Sequence, residues 1–323
     1  MFKLAKKLHA AGVLGINSRN GEYTLKYNDR KYYPLADDKL KTALLAKEMN
    51  IPIPEIYTVI DSVGEIHQLH DRVKQHKEFV VKPARGSGGD GIIVVTDRKG
   101  DDYIRIGGKV LSQEDLTYHC ANILSGMFSL GGVDDKVIIQ YRVNFDHCFK
   151  DIAFQGVPDI RIIVFLGVPT MAMIRLPTKQ SDGKANLHQG AIAAGINMST
   201  GKTLKGVWQN KIISQHPDTG VELAGRLMPH WSTLLHMSAR CFELTKLGYI
   251  GVDIVLDENR GPLILELNAR PGLNIQIANQ SGLRERLELI QKHANQLSTV
   301  ENRIQFCQTY FNDRIQFSES QVN

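Results

Sequence analysis

Phe79-Val-Val-Lys-Pro-Ala-Arg-Gly-Ser-Gly-Gly-Asp-Gly-Ile-Ile-Val-Val-Thr96 is the stretch whose reading decides the fold. Within it, residues 86–91 match G-x-G-x-x-G literally. A dinucleotide fingerprint needs a strand before that loop and a helix after it. Here apolar, β-branched runs stand on both sides, Phe79-Val80-Val81 before and Ile92-Ile93-Val94-Val95 after. No helix N-terminus follows to receive a pyrophosphate, so a Rossmann reading is excluded. A strand–glycine loop–strand hairpin remains, whose backbone N–H groups can fold over phosphates as a flap. Lys82 adds a cation at its entry. Four glycines in six residues exceed what a turn requires, although a plain hairpin with surplus glycine is the competing reading.

A second pattern lies downstream. Asp253 sits inside Gly251-Val-Asp-Ile-Val-Leu256, and Glu266 and Asn268 sit inside Leu263-Ile-Leu-Glu-Leu-Asn268. Residues two apart on a strand share a face, and a hairpin across residues 257–261 brings Asp253 beside the other two. Clustered oxygen ligands suit a magnesium ion shared with nucleotide phosphates. The alternative is buried salt bridges to arginines such as Arg161 or Arg175, because lone carboxylates are costly inside apolar strands. Pro271-Gly272 turns the chain after the second strand and leaves Arg270 beside this set, as an anion clamp or as a structural ion pair.

Around these two patterns the chain reads as mixed α and β. Residues 37–50 and 283–311 have helical apolar spacing, and residues 221–247 contain a long helical stretch. Pro52 and Pro54 stop the first of these. Ser298 and Glu301 fit a capping box that starts a second helix in the tail. Residues 1–13 read as an amphipathic helix and 66–75 as a short one. Strands are expected at 78–83, 92–96, 137–141, 250–256 and 262–268, and the region from Ile160 is strand-rich, with turns at Gly167 and Asp182-Gly183. His67 and His70 read as solvated residues on the 66–75 helix, not as part of a metal site with His76.

Composition excludes several classes. The 323 residues carry 39 Lys and Arg against 34 Asp and Glu, a net charge of +5 with no basic run, which argues against a nucleic-acid partner. The longest apolar stretch, 162–174, is broken by Gly167 and Pro169 and is too short for a membrane span. Cys120, Cys148, Cys241 and Cys307 are scattered without a C-x-x-C, which fits a cytoplasmic protein.

In order along the chain come Asp38-Lys39, then Val81-Lys82-Pro83 with the glycine loop, and then Ile138-Ile-Gln-Tyr-Arg-Val143. Asp159-Ile-Arg161, Asn186-Leu-His-Gln-Gly190, Gly251-Val-Asp253 and Glu266-Leu-Asn-Ala-Arg-Pro-Gly-Leu273 follow. Together they resemble the ATP-grasp ligases over residues 37–282, with RimK-like α-L-glutamate ligases and their relatives the nearest type. The resemblance implies an α/β (α+β) ATP-grasp fold, two α+β subdomains holding ATP between them, and a reduced N-terminal domain. The implied organisation is a short N-terminal segment 1–36, a subdomain 37–143 with the flap, a subdomain 144–290 with the magnesium site, and a helical tail 291–323. The tail's apolar stripe serves its own core or a second copy of the chain in a homo-oligomer.

The resemblance also implies roles. Lys39 and Lys82 match lysines on the ATP phosphates, and Gly86, Ser87, Gly88, Gly89 and Gly91 match the phosphate-covering flap. Gln140, Tyr141, Arg142 and Val143 match the adenine hinge, and Asp159 a residue near the nucleotide. Arg161 and Arg175 match arginines facing the reacting carboxylate. Lys184 stands where the family has arginine near the phosphates, and Asn186 matches the asparagine that follows. Asp253, Glu266 and Asn268 match the ligands of Mg2+, or of Mn2+ in its place. His188 reads as catalytic or as a hydrogen-bonded structural residue. Besides Lys184, three departures stand out. Only about 36 residues precede Asp37, Arg270 replaces a small residue, and 107–135 and 204–217 look like insertions forming lids or partner surfaces. The implied reaction joins an acceptor carboxylate, on a peptide or small acid, to an amine such as an amino acid through an acylphosphate. A kinase-like ATP-grasp reaction and a non-catalytic nucleotide-binding module are the alternatives.

Overall fold

A computed structural model describes residues 2–311 apart from Ser87, Leu130 and Gln155. The chain opens with helix α1 (Phe2–Ala10) and reaches α2 (Lys39–Glu48). Strands β1 (Ile56–Ile60), β2 (Phe79–Pro83), β3 (Ile93–Lys99), β4 (Asp102–Arg105) and β5 (Val110–Leu111) come next. Helix α3 (Gln113–Leu124) and β6 (Val137–Gln140) follow. Then come β7 (Asp159–Phe165), β8 (Val168–Leu176), β9 (Ile192–Ile196), β10 (Thr203–Trp208) and β11 (Lys211–Ile213). Helix α4 (Trp231–Thr245), β12 (Tyr249–Asp257), β13 (Gly261–Asn268), α5 (Arg284–His293) and α6 (Val300–Tyr310) complete the order. The chain divides into two compact units, one of residues 37–47 and 53–143, the other of 1–36, 48–52 and 144–323.

In the smaller unit an antiparallel sheet runs β1-β6-β2-β3-β4-β5. Phe79, Val81, Val95, Val137 and Ile139 share a core with Leu116, Cys120 and Ile123 of α3. Alternation along the strands therefore turns Lys82 and Gln140 to the opposite face. Helix α3 lies within the segment read as an insertion, yet it forms the floor of this core. It starts at a capping box in which Ser112 accepts from the Asp115 N–H. Helix α2 is capped by Asp38, whose Oδ1 accepts from Leu40 N–H at 3.0 Å. The helix expected over 66–75 is instead a 3-10 stretch, Val63–Gln68, with one α-turn, Leu69–Arg72. Its apolar anchors Ile66, Leu69 and Val73 sit three to four apart but span only two turns. His70 is also not solvated. Its Nδ1 is hydrogen-bonded to Tyr103 Oη at 2.8 Å and its Nε2 to Thr117 Oγ1 at 2.9 Å.

In the larger unit the sheet order is β11-β10-β9-β8-β7-β12-β13, again antiparallel between neighbours. The β7–β8 hairpin turns at Leu166 and Gly167, both with positive φ, as a tight hairpin of right-handed twist requires. The 204–217 segment supplies most of β10 and β11, strands of this same sheet. Helix α4, Trp231–Thr245, is the long helical stretch expected within 221–247. In the tail, α6 is capped by Thr299, which accepts from Asn302 N–H at 3.1 Å, rather than by Ser298. Its apolar stripe lies on its own unit. Ile304, Phe306 and Cys307 are buried, Arg303 pairs with Glu243 of α4, and Arg286 stacks 5.1 Å from the Phe311 ring. Among the described residues no helix is long and apolar enough to cross a membrane.

Residues 1–36 are sewn into this unit by two buried amides. Asn28 Nδ2 donates to the carbonyls of Tyr249 at 2.7 Å and Ala269 at 3.1 Å, while its Oδ1 accepts from Tyr249 N–H at 2.8 Å. Gln276 Oε1 accepts from Leu14 and Leu283 N–H, and its Nε2 donates to Leu14 O. Tyr23 and Tyr27 pack edge-on against Phe165. Asn28 to Ala leaves two carbonyls and one N–H of a buried strand end unpaired, and is expected to lower unfolding free energy by about 2–4 kcal/mol, read by urea titration.

Candidate active site

The register of the larger sheet places the charged residues in a row. Arg161 pairs with Asp253, and Asp253 with Glu266, across β7, β12 and β13. Asp159 pairs with Arg175 across β7 and β8, and Gly251 with Asn268. Paired residues share a face, as do residues two apart. One face of the sheet therefore gathers Asp159, Arg161, Arg175, Asp253, Glu266 and Asn268.

Four of the six are locked together. Arg161 Nε donates to Asp253 Oδ1 at 2.6 Å, and its Nη2 to Oδ2 at 2.5 Å. Arg175 Nε donates to Asp159 Oδ1 at 2.5 Å, and its Nη2 to Asp159 Oδ2 and to Asp253 Oδ2, the latter at 2.9 Å. Asn268 Nδ2 reaches Asp253 Oδ2 at 3.3 Å. Side-chain exposure is 14% for Arg161, 13% for Arg175, 8% for Asp159 and 3% for Asp253. Both arginines expected to face a substrate carboxylate thus bind protein carboxylates here. The two acids respond oppositely. Burial raises the Asp159 carboxyl above its usual range, and the charge of Asp253 adds to this against the pull of Arg175. Burial acts on Asp253 as well, but two guanidiniums outweigh it and hold its carboxyl below the usual range.

The smaller unit holds the glycine loop from both ends. Lys39 Nζ donates to Gly86 O at 2.6 Å, and Lys82 is buried on β2. Gly86 bridges to Ser129, and a Cβ there would meet Pro83 Cγ at 2.3 Å. At Gly91, φ is +73° and a Cβ would strike the Phe128 ring at 2.6 Å. Gly88 and Gly89 have open space but φ of +68° and +85°, so they need glycine for conformation alone. Ser87 lies outside the described residues.

The remaining expected residues are placed as follows. Gln140 is buried at the end of β6, Tyr141 N–H donates to Glu55 O at 2.8 Å, Arg142 pairs with Glu78 at 2.6 Å, and Val143 is buried. Lys184 is exposed on the turn after Asp182-Gly183, and Asn186 caps the short 3-10 helix Leu187–Gln189 by accepting from His188 N–H. The His188 side chain is exposed. The guanidinium of Arg270 stacks 5.0 Å from the Tyr33 ring, so it forms a cation–π pair rather than the ion pair considered from sequence.

Sequence reasoning missed the loop's anchors. Buried Asp135 accepts from Arg85 N–H, Lys136 N–H and Ser129 Oγ. His119 Nε2–H donates to Gly91 O at 2.9 Å. Both lie in the segment read as an insertion, where an acid and a histidine carried no distinctive spacing. An invariant of chemistry was nonetheless available: a loop with four glycines needs fixed ends if it is to present its N–H groups.

The donor set suits a hard cation that keeps most of its ligands from elsewhere. Asp253 Oδ2 already accepts three hydrogen bonds, so a metal here would rest on Glu266, the Asn268 amide oxygen and the free side of Asp253 Oδ1. Among the described residues no group of three His, Cys, Asp or Glu forms a metal cage. Such a site fits magnesium shared with phosphate oxygens, and not a zinc-type site.

Two outcomes follow for the loop and its unit. Gly91 to Ala is expected to shift the loop and raise the thermal exchange of its amides, measured by hydrogen exchange of residues 88–95. His70 and His119 are held below the usual imidazole range, first by burial and then by Arg98 and Arg105 respectively, with the bond to Gly91 opposing the shift at His119. Their neutral forms favour the folded state, so this stability is complete above about pH 6.5 and is lost as pH falls below it. The melting temperature should fall as pH drops below about 6.5, with a shallower slope in His70→Gln/His119→Gln.

A family model described as sugar-transfer associated ATP-grasp matches residues 18–292. The ribosomal protein bS6–L-glutamate ligase of Escherichia coli O7:K1 (strain IAI39 / ExPEC) is 24% identical over 253 residues, covering 78% of this chain and 61% of that protein. The chain therefore spans about three-fifths of the length of that relative. Among solved structures, D-alanyl-alanine synthetase A from Vibrio cholerae O1 biovar eltor gives a TM-score of 0.48 at 13% identity, over 83% of this chain and 67% of that one. A Chryseobacterium gregarium RiPP-associated ATP-grasp ligase, in complex with ADP and a leader and core peptide, gives 0.47 at 12% identity, over 86% and 65%. The family model spans most of the chain, and the chain belongs to the sugar-transfer associated ATP-grasp family.

Proposed function

We propose that the chain is an ATP-dependent carboxylate–amine ligase. The observation that carries this reading is the single sheet face joining Glu266, Asn268 and Asp253 to two arginines, in a chain of the ATP-grasp family. In the proposed reaction an acceptor carboxylate oxygen attacks the γ-phosphorus of ATP, and ADP leaves. An amine nitrogen then attacks the acyl carbon of the acylphosphate, phosphate leaves, and the ammonium proton passes to water. Mg2+, or Mn2+ with the same ligands, would neutralise phosphate charge when bound at Glu266, Asn268 and Asp253.

The chain's own residues would do the rest. Lys39, Lys82 and Lys184 would offset charge on the phosphoryl oxygens, and the glycine loop would exclude water from the acylphosphate. Gln140 to Val143 would hold adenine by backbone groups, with Asp159 and Asn186 near the nucleotide. Arg161 and Arg175 would hold Asp253 in place, and would clamp the acceptor only by exchanging one of those bonds for a substrate carboxylate. Arg270 would reach the acceptor only by leaving Tyr33.

The family description makes a sugar-borne acid or amine the first substrate class to test, and the glutamate ligase relative adds amino acids and peptides. Four unpaired cysteines favour a cytoplasmic setting. Homo-oligomerisation through the tail is not part of this reading, because the stripe of α6 is buried on its own unit. One observation favours a binding module without turnover: both oxygens of Asp253 are engaged by arginine.

Incubation with ATP, magnesium, pooled amino acids and candidate uronic acids, amino sugars or peptides decides between these readings. Amine-dependent phosphate release with an amide-mass product is the expected result. A stable phosphorylated product would make the chain a kinase, and nucleotide binding with no turnover would make it a binding module. Glu266→Ala is expected to lower turnover at least about 100-fold while the melting temperature is retained. Full activity in that variant would remove the proposed metal site.

A further inference from the structure

A cleft of about 340 Å³ opens in the smaller unit between the β4–β5 turn and α3. Arg105 and Lys109 line one side, Tyr118 and His119 the other, and buried Ile93 and Leu111 supply apolar surface. The turn that carries the two cations is tight. Arg105 N–H donates to Lys109 O at 2.8 Å, Gly108 N–H donates to Arg105 O at 2.9 Å, and Gly107 and Gly108 both have positive φ. Among the described residues neither cationic head has an ion-pair partner or a side-chain hydrogen bond. Asp115 is the one acid in the lining, and its carboxylate accepts from Ser112 N–H at the start of α3. With His119 neutral, the lining carries one net positive charge. Tyr118, 69% exposed, and Val110, 42% exposed, leave apolar surface at the rim.

We propose that this cleft binds a small molecule with one anionic group, a phosphate, sulfonate or carboxylate, on an apolar body, and that its occupancy is felt by the glycine loop. The two unpaired cations on a fixed turn provide for the anion. Ile93, Leu111 and Tyr118 provide for the body, and the volume limits the ligand to small-molecule size. The route to the loop is short. His119, in the wall, donates to the carbonyl of Gly91, the last glycine of the loop. Its ring lies 5.4 Å from Phe128, on which Gly91 rests, and Ile93 begins the strand two residues on. A ligand seated against His119 and Ile93 therefore touches the loop's exit from both sides. The binding itself does not depend on the proposed ligase reaction.

The test uses the full chain saturated with Mg–ADP and the fluorescent probe 8-anilinonaphthalene-1-sulfonate, with phenyl phosphate and inorganic phosphate as competitors. Arg105→Ala and Lys109→Ala are each expected to weaken probe binding about five- to tenfold, each removing one charge-assisted contact. Both positions are on the surface turn, and unchanged melting temperatures will show that the fold is kept. Phenyl phosphate should displace the probe better than inorganic phosphate. Hydrogen exchange of residues 88–95 should slow when the probe saturates the parent chain and not in Arg105→Ala. Equal probe affinity in parent and both variants would overturn the site, leaving solvated surface cations. Equal competition by the two phosphates would overturn the apolar half, and unchanged exchange would overturn the link to the loop.

Discussion

A charge buried alone in a sheet costs several kcal/mol, and removing one partner of a buried pair typically costs about 3–5 kcal/mol. Asp159, Arg161, Arg175 and Asp253 escape that penalty only as a set. Two acids and two bases interlock through five N–H···O bonds across three strands. The register must be right for this to happen. A slip of one residue on β12 would turn Asp253 to the other face and strand Arg161. The network therefore specifies the alignment of β8, β7 and β12, and through the Asp253–Glu266 pairing it also places the end of β13.

That dependence explains what the sequence could and could not disclose. Period-two spacing put Glu266 and Asn268 on one face, and the short link 257–261 implied the hairpin that brings Asp253 beside them. The partner of Asp253 was not decidable, because metal and arginine both satisfy a buried carboxylate. Choosing between them needs the β7–β12 register, which joins residues about ninety apart and leaves no local pattern. Asn28 and Gln276 were illegible for the same reason. Each is a single amide whose partners, Tyr249 for one and Leu14 for the other, are more than two hundred residues away. His70 misled because its partners, Tyr103 and Thr117, stand more than thirty residues away on β4 and α3, where no local spacing announces them. The glycine loop was legible in type, since strands on both sides excluded a helix. Its anchors were not, because Asp135 and His119 act through backbone groups that have no signature in side-chain identity.

The glycines of the loop divide by physical cause. Gly86 and Gly91 are glycine because Pro83 and Phe128 crowd them, and Gly88 and Gly89 because their φ is positive in open space. The ends are thus fixed by packing, and Gly88 and Gly89 by backbone conformation alone. Lys39 at Gly86 and His119 at Gly91 hold the two ends by hydrogen bonds to their carbonyls.

The charged row has a direction. Its inner four members balance, whereas Glu266 and Asn268 stand at its outer end on β13, with the Asn268 amide against Asp253. A divalent cation drawn to that end would compete with Arg161 and Arg175 for Asp253. An arginine that yields its bond to Asp253 must find another carboxylate, or its own desolvation goes uncompensated. In the proposed reaction the acceptor supplies one. Cation and acceptor would then favour each other's binding through a single shared side chain, which makes Asp253 the point where the two halves of the chemistry meet.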